Sequence, residues 1–148
     1  MSEHLIIVGA DGSDDSAQAL RWAVDHARHI GGEVLVLTAF DIPLTVLLVP
    51  AYTDDDYARD AAERSAETLR KAFNDGRPTD VAITAEVLQE RPALALTGVA
   101  ATRNADLLVV GSHGQGELPG LHLGSVAGYC VHHAPCPVLV FRTRNSGR

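Results

Sequence analysis

The chain has 148 residues, of which 46% are apolar and 21% charged, a balance that suits one compact α/β domain with a real core. Its 12 Lys and Arg against 19 Asp and Glu give a formal charge of −7, with no basic block. That argues against nucleic acid as the main partner, because phosphate contacts there need clustered Lys and Arg, but a nest of backbone amides can still bind a nucleotide in an acidic protein.

In chain order, the apolar run Leu5–Val8 predicts a first strand. A helix follows over Asp14–Ile30, where Leu20, Ala23, Ala27 and Ile30 recur along one face. Ser13 or Asp14 can cap its start, and Gly31-Gly32 end it. Val34–Phe40 is the second strand. The segment Asp41–Asp54 then breaks the rhythm: Pro43 and Pro50 deny it a regular helix, yet Ile42, Leu44 and Val46–Val49 make it too apolar for a solvated loop. It is expected to pack over the mouth of a site or against a partner chain.

A polar, alanine-rich helix is expected over Asp55–Asn74, closed by Asp75-Gly76, and a third strand over Val81–Leu88. Pro92, a good first-turn residue, opens a helix to Arg103. Leu107–Val110 is the fourth strand, Ser125–His133 the last helix, Val138–Phe141 the fifth strand and Thr143–Arg148 a loose polar tail. The alternation predicts a single α/β domain over residues 1–148: a five-stranded parallel sheet, Rossmann-like, with right-handed crossovers and helices on both faces. The near-continuous apolar strands agree, since such a sheet is covered on both sides.

The most informative local signal is Gly111-Ser112-His113-Gly114, followed nine residues later by Gly124-Ser125. It lies between a strand and a helix start. Glycine lets backbone come close to a ligand, and a helix start offers unpaired amides and the positive end of a dipole. Together they predict an anion site. The spacing Gly-x2-Gly-x9-Gly-Ser is neither a Walker loop, since no Lys follows the last glycine, nor the dinucleotide fingerprint.

That spacing resembles the nucleotide signature of the universal stress protein family, in its ATP-binding branch. Ile6–Ser13 resembles the family's first strand and loop, Ala19–Ala23 its first helix, and Ala105–Gly114 and His133–Val140 its two late segments. The resemblance covers nearly the whole chain. It implies the strand order 3-2-1-4-5, which puts a ligand beyond the carboxyl ends of strands one and four. It also implies ATP as ligand, or AMP or ADP, with Mg, and a homodimer paired through Val138–Phe141.

On this reading Gly9 and Ala10 let backbone approach the nucleoside. Asp11 meets a ribose hydroxyl, a base edge or a cation, or else caps the next helix. Ala39 and Val110 stand beside adenine or serve only the core. Gly111 and Gly114 face phosphate or are ordinary turn glycines, and Gly124, Ser125, Val126 and Ala127 supply helix-start amides and one hydroxyl. Ala127 stands where the family often carries Ser or Thr, so one phosphate or metal contact is missing. His113 and His122 lie on the phosphate loop, within reach of a γ-phosphate or a metal. His132-His133, adjacent on a helix, point apart and chelate poorly, and no metal site is expected. Cys130 and Cys136 fit no common zinc spacing, and Cys130 falls on the stripe Ala127, Cys130, Val131, Ala134 as a buried inert thiol.

The expected function is adenine-nucleotide-dependent regulation in a stress response. No base–nucleophile pair accompanies the loop, although Glu117, His113 and Asp11 leave open a slow ATPase or a phosphoryl- or adenylyl-transfer enzyme. A nucleotide-free dimerisation module is the third reading. Met1–His4 is polar and Leu5–Val8 too short for a signal peptide, so the cytoplasm is the expected location.

Overall fold

A computed structural model describes residues 3–44, 48, 53–113 and 123–142. Five strands, β1 (Leu5–Gly9), β2 (Glu33–Phe40), β3 (Ile83–Gln89), β4 (Leu107–Gly111) and β5 (Val138–Phe141), form one sheet in the order β3-β2-β1-β4-β5. All pairings are parallel, with Ile7 opposite Leu35 on one side and Leu108 on the other, and Val110 opposite Val140. The order implied by the family resemblance is the order observed.

Four helices cover the two faces: α1 (Asp14–Ile30) and α2 (Asp54–Ala72) on one, α3 (Pro92–Thr102) and α4 (Ser125–His133) on the other. Alternation along the strands divides the core accordingly. Ile6, Val8, Val34 and Val36 pack under α1, while Ile7, Leu35, Leu37, Leu108 and Val110 face α3 and α4. The central strands are buried on both faces, as their unbroken apolar runs require. The edges are more open: Thr84 and Ala85 of β3 are exposed, and all of β5 is half-buried.

Helix α1 has the expected bounds. Ser13 is its N-cap, accepting from Ser16 N at 3.1 Å, and Gly31 closes it at φ +70°. Helix α2 begins one residue before the sequence reading and ends two before it. A reciprocal capping box, Thr53 with Asp56, fixes its start. Strand β3 begins at Ile83, although Val81 is buried ahead of it. Val131 is 47% exposed and therefore not on the buried stripe of α4; Cys130 is fully buried. A nine-residue helix has room for only a narrow buried stripe, and Ala127 and Cys130 fill it. Burial, then the nearby Cys136, pushes the Cys130 thiol up to about 11, which keeps it protonated and inert.

Half of the segment Asp41–Asp54, residues 45–47 and 49–52, lies outside the described residues, and its expected role over the site falls there; Leu44 and Leu48 are largely exposed. The tail from Thr143 is also outside them. No helix among the described residues is long and apolar enough to cross a membrane.

Candidate functional site

A cavity of about 360 Å³ opens at the carboxyl ends of β1, β2 and β4, within the usual size of small-molecule sites. It sits at the topological switch point, where β1 connects outward to β2 on one side and β4 lies on the other. Gly9, Ala10 and Asp11 enter it from the loop after β1, Leu37 and Ala39 from β2, Val110 to His113 from the end of β4, and Gly124, Val126 and Ala127 from the start of α4.

The backbone at both loops is packed closely. A Cβ at Gly111 would stand 2.9 Å from the Cβ of Asp15, so only glycine lets the end of β4 run this close to α1. The next residue uses that closeness: Ser112 Oγ donates to Asp15 Oδ2 at 3.2 Å and lies 3.0 Å from His113 Nδ1. Because its own proton goes to the carboxylate, Ser112 Oγ accepts from His113 Nδ1–H. Asp11 Oδ1 accepts from Ser13 N at 2.9 Å, an Asx turn that holds the carboxylate in the cavity wall; the helix cap itself is Ser13.

Helix α4 differs from its neighbours at the N-terminus. Ser13 and Thr53 cap α1 and α2 with side-chain oxygens, but the N-cap of α4 is Gly124, which has none to offer. Gly124 N donates to Ser112 O at 2.7 Å, joining the start of α4 to the end of β4. The first turn of α4 contains no acidic residue. Its positive end is thus aimed at the cavity without a counter-charge from its own turn.

Of the residues singled out from sequence, Gly9, Ala10, Asp11, Ala39, Val110, Gly111, His113, Gly124, Val126 and Ala127 all line the cavity. Ser125 opens α4 but does not line it, and Gly114, Glu117 and His122 lie outside the described residues. His132 and His133 sit at the far end of α4, where His133 stacks on Tyr129 with ring centroids 4.1 Å apart. Among the described residues no group of three His, Cys, Asp or Glu could hold a metal ion.

The sequence reading did not name Ser13, Ser16, Leu37, Arg64, Pro92, Leu96 and Ser112 as site residues, and these complete the wall. The aliphatic residues read as ordinary core or helix positions, and Arg64 as one charge among many on the polar helix α2. Pro92, at a helix start after a strand, carried a local signal of its place at the carboxyl edge.

Comparison with known proteins gives a consistent picture. The model of the universal stress protein family matches residues 4–142. A universal stress protein of Thermus aquaticus, from the QAH/OAS sulfhydrylase 3′ region, is 34% identical over 142 residues, covering 93% of this chain and 97% of that one. One from Methanocaldococcus jannaschii is 31% identical, covering 93% and 81%. Among solved structures, a universal stress protein of Lactobacillus plantarum superposes with a TM-score of 0.77 at 23% identity, covering 96% and 99%. A universal stress protein in complex with cAMP gives 0.69 at 25%, covering 97% and 100%, and one from Archaeoglobus fulgidus in complex with dAMP gives 0.70 at 22%, covering 95% and 99%.

Proposed function

Since this chain belongs to the universal stress protein family, we propose that it is an adenine-nucleotide-binding regulatory protein of a stress response, in the ATP-binding branch. The observation that carries this reading is the cavity at the switch point, into which α4 presents an N-terminus with no side-chain cap. The neighbour bound to cAMP adds support for an adenine nucleotide. In this reading Ala39 and Val110 flank the base, Asp11 meets the ribose, and the amides of α4 meet phosphate. ATP, or AMP or ADP, is the ligand, and Mg travels with the phosphates. Binding favours one conformation that a regulatory partner in the cytoplasm reads.

Mass spectrometry of ligand released from freshly purified protein, followed by calorimetry with ATP–Mg, tests the reading. AMP or ATP in the released fraction supports it. If the purified protein carries no nucleotide and calorimetry shows no heat of binding, the nucleotide-free dimerisation module becomes the better account.

ATP is expected to be held rather than turned over quickly. Fast phosphoryl transfer needs an oriented nucleophile and balanced charge on the γ-phosphate. The stretch Ser112–Leu123 contains no Lys or Arg, and Ala127 offers no hydroxyl for a metal. Amides that bind the ground state and the transition state equally do not accelerate chemistry. A single-turnover assay with labelled ATP should give no more than roughly 10⁻² per second, the order of an unassisted nucleotide switch. A rate more than a hundredfold higher, lost in Asp11→Asn or His113→Ala, would favour the enzyme.

The edge strand β5 is wholly apolar and half-buried in the monomer. Such an edge invites pairing, and we propose that it pairs antiparallel with the same strand of a second copy. Light scattering should then report about twice 15.7 kDa. Val140→Lys, which puts a charge on that edge, should shift the protein to monomer. A wild-type monomer at micromolar concentration would exclude this interface.

A further inference from the structure

Helix α2 is fastened to the loop after β1 by hydrogen bonds, one of them buried and one partly buried. Gly12 N donates to Thr68 Oγ1 at 2.9 Å, and the same hydroxyl donates to the Arg64 carbonyl at 3.0 Å. Lys71 Nζ donates to Gly12 O at 2.9 Å. Gly12 itself adopts φ +85°, a left-handed conformation that favours glycine, and a Cβ there would be in ordinary contact with the Cβ and Cα of Arg64 at 3.5 and 3.6 Å. This turn of α2 is therefore fixed against the loop, and it sets Arg64 into the cavity wall.

The charges then sort themselves. Lys71 is neutralised by Asp14 at 3.1 Å and does not line the cavity. Arg64 takes part in none of the ion pairs among the described residues. Two of the hydroxyls in the wall spend their protons inside the protein: Ser16 Oγ donates to Ser13 O, and Ser112 Oγ to Asp15. Asp11 is the carboxylate in the described wall and would repel a phosphate by itself. Arg64 lines the same cavity, and a guanidinium is a planar fork that can take two phosphate oxygens at once.

We propose that Arg64 reads the phosphate of the bound nucleotide from the α2 side of the sheet, across from the α4 amides, so that the site selects nucleotides over the free nucleoside. This rests on the nucleotide reading above and adds to it a residue and a basis for discrimination. Calorimetry with adenosine and with AMP, on wild type, Arg64→Gln and Arg64→Lys, tests it at low and moderate salt. Both substitutions retain the alkyl packing on Gly12, and their thermal midpoints check folding. Arg64→Gln should bind AMP at least tenfold more weakly, about 1.4 kcal/mol, with adenosine affinity unchanged. Its AMP affinity should also lose most of its salt dependence, and Arg64→Lys should recover only part of the loss because a point charge does not fork. Equal losses for adenosine and AMP would overturn the inference by making Arg64 structural, and so would an unchanged AMP affinity. If wild type binds neither ligand, the nucleotide reading fails and takes the inference with it.

Discussion

Gly124→Asp is expected to leave the protein at least as stable as wild type while weakening AMP and ATP binding by at least tenfold, about 1.4 kcal/mol. Gly124 is the N-cap of α4, with φ −60° and ψ 163°, extended backbone that any residue adopts. Aspartate is among the best N-cap residues, and its charge suits the positive end of the helix. The same carboxylate would occupy the first-turn amides that the proposed phosphate needs, and would repel phosphate besides. Stability and affinity should therefore move in opposite directions, which separates a site effect from a folding effect. Thermal denaturation and calorimetry on the same preparation read both. Unchanged nucleotide affinity in a stable Gly124→Asp would remove α4 from the binding site. Gly114, the other glycine of the spacing, lies outside the described residues, so Gly124 is the member of the pair with a defined geometry.

The largest loss of stability is expected for Leu108→Ala. Leu108 is fully buried at the middle of β4, between β1 and β5, and belongs to the core under α3 and α4. Hydrogen-bonded strands on both sides prevent the sheet from closing over the lost methyl groups, so a cavity remains. Leucine-to-alanine changes of this kind cost about 2–5 kcal/mol, a large part of a typical total stability on the order of 10 kcal/mol. For a domain of this size that lowers the thermal midpoint by roughly 10 °C. Leu44→Ala, at an 83% exposed position, should change stability by less than about 0.5 kcal/mol. Denaturant titration of both variants checks the contrast, and a Leu108→Ala midpoint equal to wild type would contradict the core assignment.

The amino-acid sequence by itself determined the α/β alternation, the bounds of α1, α4 and β5, and the two glycine-bearing loops. These features are local: Leu20, Ala23 and Ala27 repeat with the helical period, Ser13 and Gly31 cap by short-range hydrogen bonds, and apolar runs of four residues between turn signals are long enough for a buried strand and too short for a helix. The carboxyl-edge position of the cavity was legible with the help of the family resemblance: the loops after β1 and β4 carry their signals in residues next to one another in the chain, and the strand order that brings those loops together is the one the resemblance implied. The second helix was placed less accurately because its faces are polar, and its start depends on the Thr53–Asp56 box rather than on an apolar period. Tertiary structure alone decided what joins those loops. Ser112 meets Asp15 across 97 positions of sequence, Gly12 meets Thr68 across 56, and Arg64 reaches the cavity because that second contact holds α2 in place. Nothing in the period of α2 distinguishes Arg64 from the arginines around it. Its place depends on which helix the crossover lays beside which loop, a long-range packing outcome that residue-by-residue propensity does not contain.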